Sequence, residues 1–380
     1  MPKIVLFDLV GSLDSGFTVC LNIFTEGDRR LIGNTKGKLP PCPQIREQYT
    51  RWQLPYRVLV GSMRSTARLS VGEPTDACIA EIRAASKQLQ SGVDQWLSSP
   101  EMFPIKAEIL HKITDKSEEI RVIFQTEDPH LERLPWHSWH IFNQPFYVKA
   151  EAGLYLPVAD KLIVDSREKV KVLAVFGRRE TVGNATKIET EEDWELLKNH
   201  LSEESNAELI RLIEPSLEEL CDELEKQRPQ ILFFAGHSSE EDDASGRIEL
   251  NQKESITIDD LEPDLREAIE QGLQLAIFNS CEGLGIARHL GKLHIPNIIV
   301  MREPVPDRVA QKFLQRFLEA FAGGKPLHIA VRKAREKINR LENKFPGATW
   351  LPIIFQNPAE APLTWRSLGG REIRQQTYPV

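Results

Sequence analysis

The sequence predicts an α/β fold, in which a mostly parallel β-sheet is flanked by helices and follows an α+β amino-terminal region. From residue 170 onward, short and almost continuously apolar runs alternate with stretches that repeat apolar residues every three or four positions. Such apolar runs are typical of strands covered on both faces of a parallel sheet. Before residue 160 the pattern differs, because two adjacent β-rich runs precede helix-like segments.

The amino-terminal region is predicted to open with a β-hairpin, since GSLDSG joins the β-rich runs at residues 3–10 and 17–24. Residues 36–43, KGKLPPCP, predict a loop. Further elements are expected in this order: a helix at 44–60 broken near Pro55, an amphipathic helix at 75–97, a strand at 120–124, and an apolar run at 153–157.

The carboxyl-terminal half is predicted to alternate strands with helices. Strands are expected at 169–177, 207–213, 230–237, 273–281, 297–301 and 350–356. Helices are expected at 189–201, 216–227, 259–272, 284–293, 307–324 and 326–343. Ser216, followed by Glu219, is typical of a helix start, and Gly272 is typical of a helix end.

The composition favours a cytoplasmic globular protein without a cofactor. The net charge of −8, with no Lys- or Arg-rich run, argues against nucleic acid or an anionic membrane as a partner. The five cysteines include no CxxC pair, which argues against a disulfide framework and a zinc site. The first residues predict a strand instead of a signal peptide, and no apolar run has the ~18 residues of a membrane span.

Two chemically capable side chains stand at the ends of predicted strands: His237 and Cys281. In parallel α/β sheets, ligands bind beyond the carboxyl ends of the strands. A cysteine attacks as the thiolate, which a neighbouring histidine or a helix N-terminus favours, and the run CEGLGIARHL predicts such a helix. Other interpretations are open at this point: Cys281 as a small apolar core residue and His237 as a solvated strand end.

Together, the segments FFAGHSS and IFNSCEG resemble the histidine and cysteine motifs of CHAT domains, a caspase-like branch of the caspase and separase peptidases. RVIFQTEDPHLERLPWHSW and the segments 298–336 and 346–358 extend this resemblance over roughly residues 120–358. Residues 12–24 and 36–59 also resemble the amino-terminal segment of cyanobacterial CHAT proteins that lack helical repeats.

The resemblance implies a caspase-like fold with Cys281 as nucleophile, His237 as base, and the backbone N–H groups of Ser238 and Cys281 as an oxyanion hole. The family usually has glycine where this chain has Ser238. The substrate pocket has five candidates near the same sheet edge: Asn279, Glu282, Arg302, Glu303 and Asp307. Carboxylates there suit a basic substrate residue and Arg302 suits an acidic one, so the sequence leaves the specificity open.

Three further motifs carry less weight. GGKP at 323–326 lacks the spacing of a phosphate loop and follows a helix, so it predicts a helix end. EEDDASG at 240–246 resembles a calcium loop but has Gln252 at the twelfth position, so a solvated acidic loop, a cleavage site or a lid is favoured. His137 and His140 lack a third metal ligand nearby in the sequence.

The sequence therefore predicts an amino-terminal region at 1–165 containing a degenerate CHAT half, a caspase-like catalytic domain at 170–358 and a tail at 359–380. The predicted function is a cysteine endopeptidase that cleaves a protein or peptide substrate through an acyl-enzyme, under the control of a regulatory protein partner, in stress, defence or death signalling. The alternative is an inactive interaction module of the same fold, which the Ser238 departure favours.

Overall fold

A computed structural model describes residues 2–64, 75–143, 145–157, 169–178, 190–201, 205–240, 246–280 and 283–371. Its strands are β1 Lys3–Ser12, β2 Gly16–Thr25, β3 Leu31–Leu39, β4 Ile120–Thr126, β5 Ala150–Tyr155, β6 Val170–Phe176, β7 Ala207–Ile213, β8 Ile231–Ala235, β9 Ser238–Glu240, β10 Gly246–Glu249, β11 Ser255–Thr257, β12 Leu275–Phe278, β13 Asn297–Met301 and β14 Pro352–Gln356.

Most of these strands share one large sheet. Within the described residues, eleven strands follow the order β3-β2-β1-β4-β5-β14-β13-β12-β8-β6-β7, while β9, β10 and β11 form a small separate sheet. The strands from β13 to β7 are all parallel, and so are those from β1 to β14. The two parallel blocks meet antiparallel at β13 and β14. This mostly parallel sheet confirms the predicted fold class.

Helices accompany the sheet. Their bounds are α1 Gln44–Arg64, α2 Asp76–Leu97, α3 Phe103–Lys112, α4 Pro129–Glu132, α5 Thr190–His200, α6 Leu217–Gln227, α7 Glu262–Glu270, α8 Leu284–Lys292, α9 Asp307–Ala322 and α10 Leu327–Ile338. The predicted cap of α6 is confirmed, since Ser216 Oγ accepts the Glu219 N–H at 3.1 Å. No helix in the described ranges is both long and apolar enough to cross a membrane.

Two predictions for the amino-terminal region are wrong. Residues 36–39 belong to β3, and the loop is confined to the prolines that follow. Helix α1 continues through Pro55. Proline there removes one backbone hydrogen bond, but Trp52 and Tyr56 on either side are fully buried and their rings stack at 4.7 Å, so packing holds the helix together.

Helix α1 also joins the amino-terminal region to the carboxyl-terminal end of the chain. The Trp52 ring lies 4.3 Å from the Trp350 ring, and Trp52 Nε1 donates to Pro346 O at 2.9 Å. Buried Trp–Trp contacts of this kind combine a large apolar area with a satisfied N–H group. This packing fixes α1 beside the segment that leads into β14.

Candidate active site

Strands β8 and β12 end at the same edge of the sheet, shortly before the predicted catalytic positions in the sequence. The two strands are adjacent and parallel, and Phe234 of β8 lies opposite Phe278 of β12. In the sequence, His237 comes three residues after Phe234, and Cys281 comes three residues after Phe278. Cys281 and Glu282 lie outside the described residues, whereas the flanking Ser280 and Gly283 lie within them.

A hydrogen bond between two serines links the chain segments beyond β8 and β12. Ser238, which follows His237, donates its hydroxyl to Ser280 Oγ at 2.9 Å, and both side chains are buried. His237 itself is half-buried, and its carbonyl accepts the Glu249 N–H at 3.0 Å. The residue after His237 and the residue before Cys281 are therefore in direct contact.

Close packing of glycines brings β6 against this turn. The Gly177 N–H donates to Ala235 O at 2.9 Å, and a Cβ on Gly236 would lie 3.1 Å from Gly177 Cα and 2.9 Å from the Phe234 ring. A side chain at Gly236 would force the ring or the backbone to shift. The histidine turn thus depends on glycine for close approach of two strand ends.

Ser238 occupies its position without backbone strain. Among the described residues, five non-glycine residues have positive φ, and Ser238 is not one of them. A serine can adopt this backbone as readily as a glycine, because only the left-handed region penalises a Cβ. Serine at this position therefore causes no strain in the backbone.

A buried acidic group stands beside the same edge. Asn279 follows β12 directly and is 7% exposed; its Nδ2 lies 3.5 Å from Oδ1 of Asp193, which is 4% exposed on α5. Burial, and then the negative charge of Asp307 at the start of α9, raise the pKa of Asp193 well above its ordinary value. The structure brings together Asn279 and Asp307, which the sequence predicts for the substrate pocket, and adds Asp193.

Asp193 is absent from the sequence prediction because it stands in the run TEEDW at the start of α5. Acidic residues are common in the first turn of any helix, where they complement the helix dipole. Burial distinguishes Asp193 from its exposed neighbours Glu191 and Glu192. In the sequence, the spacing of Thr190, Asp193 and Leu197 shows only that they share one face of a helix, and the structure shows that this face is buried.

Arg302 lies in an internal network. It is 3% exposed, its Nε donates to Glu132 O at 3.1 Å, and its guanidinium also donates to the carbonyls of Trp350 and Pro352. Burial lowers the pKa of Arg302 to about 9. With these donors occupied, Arg302 ties β13 to the start of β14 and is not directed toward the acidic group.

Glu303 is likewise enclosed, with no exposed surface. Its carboxylate accepts hydrogen bonds from four side chains: Tyr49 at 2.5 Å, Gln53 at 2.6 Å, Arg57 at 2.7 Å and Arg133 at 3.1 Å. Three of these donors belong to α1. The structure thus places Glu303 at the junction of the amino-terminal region and β13, where these four donors occupy its carboxylate.

Neither histidine of the LPWHSWH segment has the surroundings of a metal ligand. Burial, and then the charge of Arg335, lower the pKa of His137 well below its ordinary value. His140 Nδ1 lies 2.9 Å from Asp94, and its Nε2 lies 2.9 Å from Lys106 Nζ. In the part of the chain that the structure describes, no group of three or more His, Cys, Asp or Glu side chains could hold a metal ion.

Comparisons with known proteins agree with this architecture. A family model described as the CHAT domain matches residues 93–368. No curated protein matches the chain. Among solved structures, a separase–securin complex from Saccharomyces cerevisiae has a TM-score of 0.58 at 11% identity, covering 94% of this chain and 30% of that chain. The Drosophila initiator caspase Dronc has a TM-score of 0.40 at 11% identity, covering 56% of this chain and 96% of that chain.

Proposed function

Since this chain belongs to the CHAT domain family, we propose that it is a cysteine peptidase in which Cys281 is the nucleophile and His237 the base. One observation carries the proposal. Phe234 and Phe278 are opposite each other on adjacent parallel strands, and the two proposed catalytic residues follow them at the same distance along the chain. The Ser238–Ser280 hydrogen bond of 2.9 Å supports their proximity.

The proposed reaction is acyl transfer. The imidazole of His237 takes the thiol proton, the Cys281 sulfur attacks the substrate carbonyl carbon, and the protonated imidazole then protonates the leaving amine. Water hydrolyses the resulting thioester and releases the acid product. Helix α8, which begins at Leu284, supports the thiolate through its N-terminal dipole.

The backbone N–H groups of Ser238 and Cys281 are the proposed oxyanion donors. A donor of this kind lowers an acyl-transfer barrier by roughly 3 kcal/mol when it is aimed at the developing charge. The absence of positive φ at Ser238 supports this role, because serine then holds this backbone position without strain. This observation favours a peptidase over an inactive interaction module.

The substrate proposed is another protein, and a regulatory partner is proposed to control the cleavage in stress, defence or death signalling inside the cell. The solved separase structure contains securin, a second protein chain bound to that peptidase. The present chain covers only 30% of that separase chain. A regulatory partner of this protein is therefore proposed by analogy with securin.

Covalent labelling tests the proposal. The purified chain is incubated with a pool of peptide acyloxymethyl ketones, and the intact mass and the modified residue are measured. We expect one adduct on Cys281, which disappears in Cys281→Ala and in His237→Ala. Cys221→Ala is the matched control, because Cys221 is half-buried and burial raises its pKa to about 12, so labelling should persist.

The outcome that contradicts the proposal is equally specific. A folded protein that labels equally on several cysteines, or whose Cys281 labelling persists in His237→Ala, has no histidine-activated nucleophile. A cooperative thermal transition in each variant shows that loss of labelling does not come from unfolding.

A further inference from the structure

The Asp193 carboxylate is buried without a compensating cation. It is 4% exposed, and its hydrogen bond from Asn279 Nδ2 is long, at 3.5 Å. Among the described residues, no lysine, arginine or histidine forms an ion pair with Asp193. An isolated buried carboxylate is costly for a fold, and buried charges are normally paired. Such a group is retained in a fold most readily where a ligand supplies the missing charge.

Two further buried polar atoms, one on Asn279 and one on Thr190, have no hydrogen-bond partner among the described residues. Asn279 Oδ1 has no hydrogen-bond partner among the described residues, although Asn279 is 7% exposed and its other amide atom contacts Asp193. Thr190 is 1% exposed, its Oγ1 also lacks a partner, and it lies one helical turn before Asp193 on the same face of α5. Unsatisfied buried polar atoms are uncommon in native folds and require an explanation.

The position of this group matches a substrate subsite. Asn279 follows β12 two residues before Cys281, Asp193 lies on the helix that follows β6, and Asp307 begins the helix that follows β13. All three strands point the same way, so their carboxyl ends and the connections after them share one edge of the sheet. The acidic group therefore lies at the sheet edge where β12 ends, two residues before the proposed nucleophile in the sequence.

An acidic substrate residue is disfavoured, because the guanidinium of Arg302, its candidate binding group, is occupied within the protein. Arg302 donates to three backbone carbonyls in the interior, and Glu303 accepts from four other side chains. Among the described residues, the Asp193 carboxylate and the Asn279 amide oxygen remain as buried acceptors, and Asp307 adds negative charge beside Asp193. A guanidinium presents up to five donors in a rigid fork and an ammonium presents three, so a basic side chain satisfies this arrangement.

We propose that the site cleaves after arginine or lysine, whose cationic head is bound by Asp193 and Asn279. This inference rests on the proposed peptidase function and adds its substrate class. Asp193 is thereby a specificity residue that contacts the substrate but takes no part in bond cleavage. Asp307 contributes negative charge at the start of α9, where it faces Asp193 closely enough to raise its pKa.

Hydrolysis of a positional peptide library is the first arm of the test. Pools carry Arg, citrulline, Lys, norleucine, Asp or Glu before a fluorogenic leaving group, with the other positions degenerate. Citrulline has the shape of arginine without its charge. We expect kcat/KM for Arg to exceed that for citrulline by ~10-fold or more, and this ratio to fall to near unity in Asp193→Asn. Glu192→Gln, an exposed neighbour of the same charge, should keep the ratio.

Binding of a small cation is the second arm, which needs no catalysis. Calorimetry on the Cys281→Ala chain compares 4-aminobenzamidine with the neutral 4-aminobenzamide. We expect 4-aminobenzamidine to bind selectively, and this binding to disappear when Asp193→Asn is added. If this binding is seen but no peptide is cleaved, the peptidase proposal fails and the cation site stands.

Three results overturn the inference. The first is a library profile without preference for basic residues, and the second is a preference that persists in Asp193→Asn. The third is a loss of kcat/KM in Asp193→Asn that is equal for all pools. If no pool is cleaved, equal or absent binding of the two small probes overturns it. A cooperative unfolding transition of each variant accompanies every measurement.

Discussion

Replacing Glu303 tests whether this residue holds the fold together or faces a substrate. In Glu303→Ala, the buried phenol of Tyr49 and the guanidinium of Arg133 lose their acceptor, together with Gln53 and Arg57. Breaking a buried charged network costs about 3–5 kcal/mol. The side chain of Arg57 is 37% exposed and can turn to solvent, so its share is small, and most of the cost falls on Tyr49 and Arg133.

A graded series sharpens this prediction. Glu303→Gln keeps one acceptor oxygen and removes the charge, so we expect a loss of about 1–3 kcal/mol. The control is Glu262→Gln, because Glu262 pairs with Arg266 at a surface where both side chains are more than 40% exposed. We expect that change to stay within about 0.5 kcal/mol.

Urea denaturation followed by tryptophan fluorescence measures these free energies of unfolding. A Glu303→Ala protein as stable as the parent, with altered preference for the substrate residue before the cleaved bond, would refute the structural role and return Glu303 to the pocket. Burial, and then the negative charge of Glu303, raise the pKa of Tyr49 well above its ordinary value. The Tyr49 phenol is therefore protonated at neutral pH and acts as a hydrogen-bond donor.

Three other changes have defined outcomes. A carboxyl group whose pKa is raised in the folded state makes the protein less stable as the pH rises through that pKa. Asp193→Asn should therefore increase the free energy of unfolding at pH 7 to 8, and this gain should vanish below the ordinary aspartate pKa of 3.8. Urea denaturation at a series of pH values measures the effect. Ser238→Gly removes the buried hydrogen bond to Ser280 and should cost about 1–3 kcal/mol, while kcat/KM should stay within a few-fold; thermal unfolding and peptide hydrolysis measure the two effects. Gly236→Ala should cost about 1–3 kcal/mol, because the added Cβ would meet Gly177. The control is Gly61→Ala on α1, where the Cβ would meet nothing, and this change should be neutral or stabilising by up to about 1 kcal/mol. Calorimetric melting compares the two variants.

The carboxyl-terminal elements could be predicted because their local signals agree with their burial. Strands β6, β8, β12 and β13 are almost entirely buried, and their sequences are correspondingly apolar except for Lys171 and Asn297. Gly272, at φ 111°, ends the helix before β12 as its sequence position predicted. In contrast, β3 lies at the edge of the sheet, and its two exposed lysines and its two glycines give no apolar run.

The site could be predicted in part. The rule that ligands meet the carboxyl ends of parallel strands needs only the strand assignments, and these pointed to His237 and Cys281. The direction in which a side chain points is not contained in such a pattern. Glu303 and Asp307 follow the same strand, yet one is enclosed by α1 and the other lies beside a residue on α5. Asp193 lies 86 positions from Asn279, a separation that no local spacing encodes.

The predicted division of the chain near residue 165 leads to a last prediction, because the sheet crosses it. Strand β14 lies between β13 of the carboxyl-terminal half and β5 of the amino-terminal region. Without residues 1–168, the shortened chain 169–371 would expose one edge of β14 and the Trp350 face that Trp52 covers, and leave the Glu303 carboxylate without its α1 donors. Unpaired edges and exposed aromatic surface cause aggregation. We expect 169–371 to be insoluble or to lack a cooperative transition, by size-exclusion chromatography and urea denaturation. A monomer that unfolds cooperatively and still labels at Cys281 would contradict this, since it would mean that the carboxyl-terminal half supplies its own core and that the α1 contacts only add to a fold already complete.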